Sequence, residues 1–440
     1  MENNGLIIAL TGRFGAGCST TANFFANNKK LNCKSYSISA FLKDKAKKEI
    51  VNFEQKNPEE RRKILQDLGD SLRKEKLSAL VDPIIKDIKD NNVENVVIEC
   101  IRNPGEVTEL RHAFGNRFFL LAIDSETETR WKRVEKMYKG NRANFDINDR
   151  RDAGEEQPPL PNGQNVKKCI ELADILINSE DNFYKEDETK DEVVIDRYGQ
   201  KLSDYTELML NPGARPPYPD ELYMHHSCSV ALWSKCSRRQ VGATIIHEVL
   251  NKKPDKQDVK NKSDSDKEII LESYVIATGC NNVPWGEIDC RVLYKSESTK
   301  KRCHKEKVKI KHFSKYKYCR ECGAALNDRT LVCTCGVENS KLPGKLLDVC
   351  RAVHAEESAI LQAAKLGTTP LNGAKLYTST FPCMLCCKKI INAGIKNLIY
   401  LESYPMEESL AISMFRKCNV KISKYEGVNS IVFNRLFKRE

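Results

Sequence analysis

The chain has 440 residues, 40% of them apolar and 30% charged, and a formal net charge of +11. That length supports two or three domains with real cores, and the positive balance calls for an anionic partner, nucleotide or nucleic acid. Nowhere do eighteen apolar residues run together, and the acidic, polar start Met1-Glu-Asn-Asn lacks the basic opening of an export signal, so no membrane association is expected. With no such signal, the 18 cysteines read as reduced thiols of a cytoplasmic protein, several of them in metal-type spacings.

The first element is a short apolar strand, Leu6–Leu10, followed by a glycine-rich loop and a helix over Thr20–Asn28. The loop runs from Gly12 through Gly15 and Gly17 to Ser19 and Thr20. It fits G-x-x-x-x-G-K-[ST] except that Cys18 stands in the lysine position. Backbone N–H groups at a helix start can still cradle phosphate, and Ser19 can still reach Mg²⁺. The cation that stabilises a transferring phosphoryl group is missing, so the loop predicts nucleotide binding without efficient phosphoryl transfer. Val96–Glu99, Phe118–Asp124 and Ala173–Asn178 are further apolar runs separated by helical stretches, the pattern of a doubly wound parallel α/β sheet. With Ile101–Glu106, Arg130, Arg133, Arg151 and Asp152, residues 5–185 resemble P-loop proteins of the nucleoside-monophosphate-kinase and dephospho-CoA-kinase type. The resemblance implies a P-loop domain over residues 1–190 that binds a regulatory nucleotide.

The composition then turns acidic and next rich in proline and glycine up to Pro219, which predicts a linker over residues 191–217. The second domain, residues 218–440, opens with a helix over Tyr218–Trp233 and a strand over Gln240–Ile246. Asn251–Lys267 reads as a solvated hairpin loop, and Ser273–Thr278 as the partner strand, ending in the turn Gly279–Pro284. An insertion over residues 295–345 carries Cys319, Cys322, Cys333 and Cys335, a C-x₂-C…C-x-C set that predicts a structural zinc. Cys290, Cys303, His304 and Cys350 are further donors, so a second or alternative ligand set stays open. Lys295–Arg320 holds eleven Lys or Arg against two Glu, interleaved with Phe313, Tyr316 and Tyr318. That composition can grip a regulatory RNA or other nucleic acid by phosphate attraction and stacking.

The most informative motif is His354-Ala355-Glu356, followed by Pro382-Cys383-Met384-Leu385-Cys386. One imidazole and two thiols suit a zinc ion with a fourth position left open, and Glu356 stands beside it without being a ligand. A helix is predicted from His354 to Leu366, ended by Gly367. Thr380 reads as the N-cap of a second helix with Pro382 in its first turn, and Cys383 and Cys386 lie three apart on one face. Cys387, one position on, points elsewhere.

Ser237–Ala243, Thr278–Pro284, His354–Ile360, Phe381–Cys386 and Lys389–Ile395 follow one another as in deoxycytidylate deaminases, a resemblance covering residues 219–425. It implies a cytidine-deaminase-like three-layer α/β/α domain performing zinc-dependent hydrolytic deamination of dCMP or dCTP. In that reading His354, Cys383 and Cys386 hold the zinc and Glu356 carries protons. Asn281 contacts the deoxyribose or base, and Arg239 serves the phosphate. The fused arrangement looks like the bacterial deoxycytidine-nucleotide deaminases of anti-phage defence, which deplete dCTP, and implies a homo-oligomer. A housekeeping dCMP deaminase and a polynucleotide-editing deaminase are the alternatives.

Overall fold

The computed structural model describes residues 5–155, 160–180, 191–251, 269–295, 303–304, 350–367, 370–403 and 408–438. Two compact units emerge: Met1–Glu221 together with Glu426–Glu440, and Leu222–Tyr425. Cys319, Cys322, Cys333 and Cys335, nearly all of the basic stretch and nearly all of the predicted hairpin loop lie outside the described residues. No described helix is long and apolar enough to cross a membrane.

The first unit is built on β1 (Ile7–Thr11), β2 (Lys34–Ser37), β3 (Val96–Glu99), β4 (Phe118–Asp124) and β5 (Ile175–Asn178). They form a parallel sheet in the order β5-β4-β1-β3-β2. β1, β3, β4 and β5 are unbroken apolar runs because helices cover a parallel sheet on both faces. Ile8, Leu10, Val97, Leu121 and Ile177 are buried in one cluster with Phe25 and Leu202.

The predicted linker is instead largely a helix, Asp191–Leu210. Tyr198, Leu202, Tyr205 and Met209 recur at helical spacing and are buried in the first unit's core. The acidic start of this segment and the Pro/Gly-rich stretch after Leu210 obscured that periodicity in the sequence.

The second unit holds β6 (Gly242–Asn251), β7 (Ile269–Cys280), β8 (Lys375–Thr380), β9 (Asn397–Glu402) and β10 (Lys421–Lys424). The order is β10-β9-β8-β6-β7, parallel from β10 to β8 and antiparallel at β6 and β7. The helix Ala355–Leu366 packs on β7 and β6. That approach is close: a Cβ built on Gly279 would stand 2.3 Å from Ala355 O and 2.4 Å from Ala359 N. Any side chain there would push away the helix that carries Glu356. Phe381, Tyr400, Phe415 and Ile390 pack in the same core with the backs of Cys383 and Cys386.

The sequence division runs the second domain to residue 440, yet Glu426–Glu440 belongs to the first compact unit. There β11 (Gly427–Val428) pairs antiparallel with β5, and Val428, Val432 and Leu436 enter the first core. Sequence order alone could not show this return.

Candidate metal centre and nucleotide cavity

Two helix starts build the centre. His354 is the N-cap residue of the helix Ala355–Leu366, and Cys383 is the N-cap of the helix Met384–Asn392. The second helix therefore begins later than the sequence suggests. Thr380 remains in β8, because Phe381 N still donates to Glu402 O at 2.8 Å and extends the sheet pairing. Cys386 follows in the first turn, so both thiols and the imidazole face one point.

Sγ of Cys383 and of Cys386 lie 3.3 and 3.4 Å from His354 Nδ1, and all three ligand atoms fall within 4.8 Å of one another. Among the described residues, no other His, Cys, Asp or Glu side chains group three ligand atoms so closely. Cys387 is buried with its Sγ toward Ala411 O at 3.8 Å, turned away from the group.

The electrostatics fit a cation at that point. The Cys386 thiol donates to Cys383 and, with His354, holds the Cys383 thiol down at about 4, while Cys386 is driven upward by its anionic neighbour and by burial. Two adjacent thiols resist ionising together unless a positive charge lies between them, and a zinc held there would supply one. His354 is raised above the usual imidazole range, first by its bond to Cys383.

Glu356 is 4% exposed, and burial pushes its carboxyl up to about 7. It interacts with the Cys386 thiol and with His354, so it stands beside the ligand group. Its neighbour Glu357 is half-buried and pairs with Lys389.

Arg239 lies just ahead of β6, and Asn281 directly follows β7. Asn281 Nδ2 donates to Arg239 O at 2.8 Å and its Oδ1 accepts from Val241 N at 2.8 Å. Its amide thus braces the loop that carries Arg239. The Arg239 guanidinium pairs with Glu402, at the end of β9 beside the Phe381 backbone. Glu402 went unremarked in the sequence; its only signal there is an acidic residue closing an apolar strand.

In the first unit the glycine-rich loop connects β1 to the helix Cys18–Asn27. Gly15 (φ 82°) and Gly17 (φ 104°) adopt the left-handed conformation that glycine favours. Arg133 Nη1 donates to Gly15 O at 3.1 Å, and Thr21 Oγ1 donates to Gly17 O at 3.0 Å. Ser19 and Thr20 are exposed at the helix start. The loop borders a cavity of about 970 Å³, also lined by Lys43, Arg62, Gln66, Glu99, Arg102 and Asp152. Arg62 and Arg102 donate to Asp152 at 2.7 and 2.9 Å, and Gln66 at 3.0 Å. Burial alone would raise the Asp152 carboxyl, but the two arginines outweigh it and hold it low. Burial lifts the Cys18 thiol to about 12, so the residue in the lysine position is uncharged at neutral pH.

Residues 217–402 match the family described as cytidine and deoxycytidylate deaminase zinc-binding region. The chain is 26% identical over 266 residues to the deoxycytidylate deaminase of Schizosaccharomyces pombe, covering 60% of this chain and 57% of that protein. It is 42% identical over 82 residues to ComE operon protein 2 of Bacillus subtilis, covering 19% and 42%. A third relative, a UPF0200 protein of Pyrococcus abyssi, is 29% identical over 183 residues, 41% of this chain and 90% of its own length. The chain spans about half the length of the deaminase relatives it matches. The stretch that brings His354, Cys383 and Cys386 together is therefore similar to the zinc-binding region of cytidine and deoxycytidylate deaminases.

Proposed function

We propose that the second unit deaminates deoxycytidine nucleotides, dCMP or dCTP, to the corresponding deoxyuridine nucleotides. The observation that carries this reading is a buried carboxyl, Glu356, beside a convergent His354–Cys383–Cys386 donor set. His354 through Nδ1 and the two Sγ atoms would hold zinc, which when bound supplies a Lewis acid that makes water a nucleophile near neutral pH.

The remaining chemistry falls to Glu356. Its carboxylate oxygen takes the proton of the attacking water and delivers it to N3 of the pyrimidine, and a second transfer carries a proton to the departing amino group. A carboxyl held near 7 suits both directions of transfer at physiological pH. Burial keeps bulk water away from the proton it carries. Arg239, fixed by Glu402 and by the Asn281-braced loop, stands as the candidate cation for the nucleotide phosphate. Asn281 would reach the sugar or base only with an amide already engaged on the backbone, so its first role is to shape that loop.

In the first unit the glycine-rich loop and its cavity would bind a regulatory nucleotide, with Mg²⁺ at Ser19, and no turnover of its own. Support comes from the cavity's size, its arginines and the uncharged Cys18. The same combination of units is consistent with a defence enzyme that depletes dCTP. The test incubates the full chain with dCMP, dCDP, dCTP, cytidine and a cytosine oligonucleotide, with and without ATP or GTP, alongside Glu356→Ala. Deoxyuridine nucleotide formed by the parent and not by the variant is expected. Turnover of the oligonucleotide alone would reassign the unit to polynucleotide editing.

A further inference from the structure

We propose that Arg351 binds the phosphate of the substrate and is the residue by which the second unit selects a deoxycytidine nucleotide over the free nucleoside. The inference rests on the deaminase reading for the identity of that substrate. A cavity of about 250 Å³ opens on His354 and is lined also by Pro284, Arg351, Glu357 and Leu385. Its volume is on the scale of one small ligand. Among the described lining residues Arg351 is the only lysine or arginine. Arg239 is not among them, and its guanidinium pairs with Glu402.

The backbone places Arg351 there. Val353 N donates to Asn282 O at 2.9 Å, in a bridge that pins the stretch ahead of His354 beside the chain that follows β7. That chain then makes a tight turn in which Glu287 N donates to Pro284 O at 3.0 Å. Gly286 (φ 88°) supplies the positive φ that the third position of such a turn needs. The turn delivers Glu287 to Arg351, and the two pair through Nη2. Arg351 also borders a smaller cavity lined by Ser237 and Asn281. The guanidinium therefore neighbours both His354 and the loop that leads to Arg239.

Its present partner is a weak competitor. The Glu287 side chain is 56% exposed, and an ion pair so open to solvent contributes little. Arg351 Nη1 is buried without a hydrogen-bond partner, so the guanidinium has a donor to spare. A phosphate offers three strong acceptor oxygens and up to two negative charges. The planar guanidinium fork can meet two of those oxygens in parallel, which a lone exposed carboxylate does not match. A nucleotide thus displaces Glu287, whereas a nucleoside brings no anion and leaves the Glu287 pair intact. Glu357, the carboxylate on the same cavity, is neutralised by Lys389 and so does not repel the phosphate.

The test measures kcat, KM and calorimetric affinity of the full chain for dCMP and for deoxycytidine. The proteins are the parent, Arg351→Ala, Arg351→Lys and Glu287→Gln. Arg351→Ala is expected to raise KM and Kd for dCMP about 10–100-fold, the worth of a hydrogen bond to a charged group, with kcat, zinc content and deoxycytidine affinity held. Arg351→Lys keeps the charge without the fork and should recover part of the loss. Glu287→Gln removes the competing carboxylate, so KM for dCMP should fall while that for deoxycytidine stays. An unchanged dCMP affinity in Arg351→Ala, or an equal loss for both substrates, would overturn the proposal, the second result making Arg351 a brace of the fold. Should Arg351→Ala fail to fold, Glu287→Gln decides alone, and equal shifts for dCMP and deoxycytidine refute the phosphate contact. A parent that binds dCMP through Arg351 without deaminating it would sink the deaminase reading and leave this contact standing.

Discussion

Replacing Glu356 by Gln keeps the shape of the side chain and removes its proton. Burial lifts this carboxyl from its ordinary 4.5 to about 7, so the folded chain holds a proton that the unfolded chain has already released. The sign follows from linkage: with the folded value raised, stability of the metal-free protein falls as pH rises from about 4.5 to about 7, and stays low above. At roughly 1.4 kcal/mol per pH unit the loss amounts to about 3 kcal/mol. Gln carries no such proton, so the metal-free variant keeps that stability above pH 7. Turnover moves in the opposite direction. A positioned proton carrier contributes about 10²–10⁴-fold, or about 3–5 kcal/mol of barrier. Glu357 is no substitute, since it is tied to Lys389. The assay follows product formation from dCMP and dCTP by chromatography and zinc by elemental analysis. Urea unfolding of the chelated protein at pH 5 and pH 8 completes it. Near-normal turnover, loss of zinc from the variant, or the same pH slope in both proteins would refute the reasoning.

The first unit yields three further tests. Cys18→Lys introduces a cation where a neutral thiol stands, and should tighten binding of a nucleoside triphosphate by about tenfold, the worth of one charge-assisted contact; calorimetry showing unchanged or weaker affinity would count against a phosphate cradle. Asp152→Asn leaves Arg62 and Arg102 facing each other without their anion and should cost about 3–5 kcal/mol. Because the folded Asp152 carboxyl is held below its ordinary 3.8, its contribution is present above that value and lost as pH falls below it, so the acid limb of the parent's stability profile should be weaker in the variant. Leu202→Ala removes a fully buried side chain from the helix Asp191–Leu210 and should cost about 2–5 kcal/mol in thermal unfolding; a shift near zero would restore this segment to the status of a linker.

Several parts of this protein were legible in the residues themselves. The spacing His354–Glu356 with Cys383–Cys386 specified a donor set, because first-turn geometry makes residues three apart share a face and leaves Cys387 out. The apolar runs at Leu6, Val96 and Phe118 announced a covered parallel sheet, since only strands buried on both faces dispense with alternation. Gly12 to Thr20 announced a turn into a helix, with Gly15 and Gly17 taking the left-handed backbone that the loop needs. These features depend on neighbours within a few residues, which a sequence displays directly.

Tertiary structure decided the rest, and in each case the partner is distant in the chain. Tyr198, Leu202 and Tyr205 look like part of an acidic linker until the core of the first unit supplies a surface for them. Val428 and Leu436 join that core from the far end of the chain, through a two-residue strand on β5 too short to leave a pattern. The Asn281 amide is spent on the backbone of Arg239 and Val241, and Arg239 on Glu402, although the resemblance to deoxycytidylate deaminases implied that both face a ligand. Cys236, Cys290, Cys303 and Cys350 share a cavity across more than a hundred residues of sequence, with no spacing motif to connect them. Local geometry is set by covalent neighbours and can be read along the chain, whereas the partner of a charge, an amide or a thiol is set by which distant segments the cores bring together.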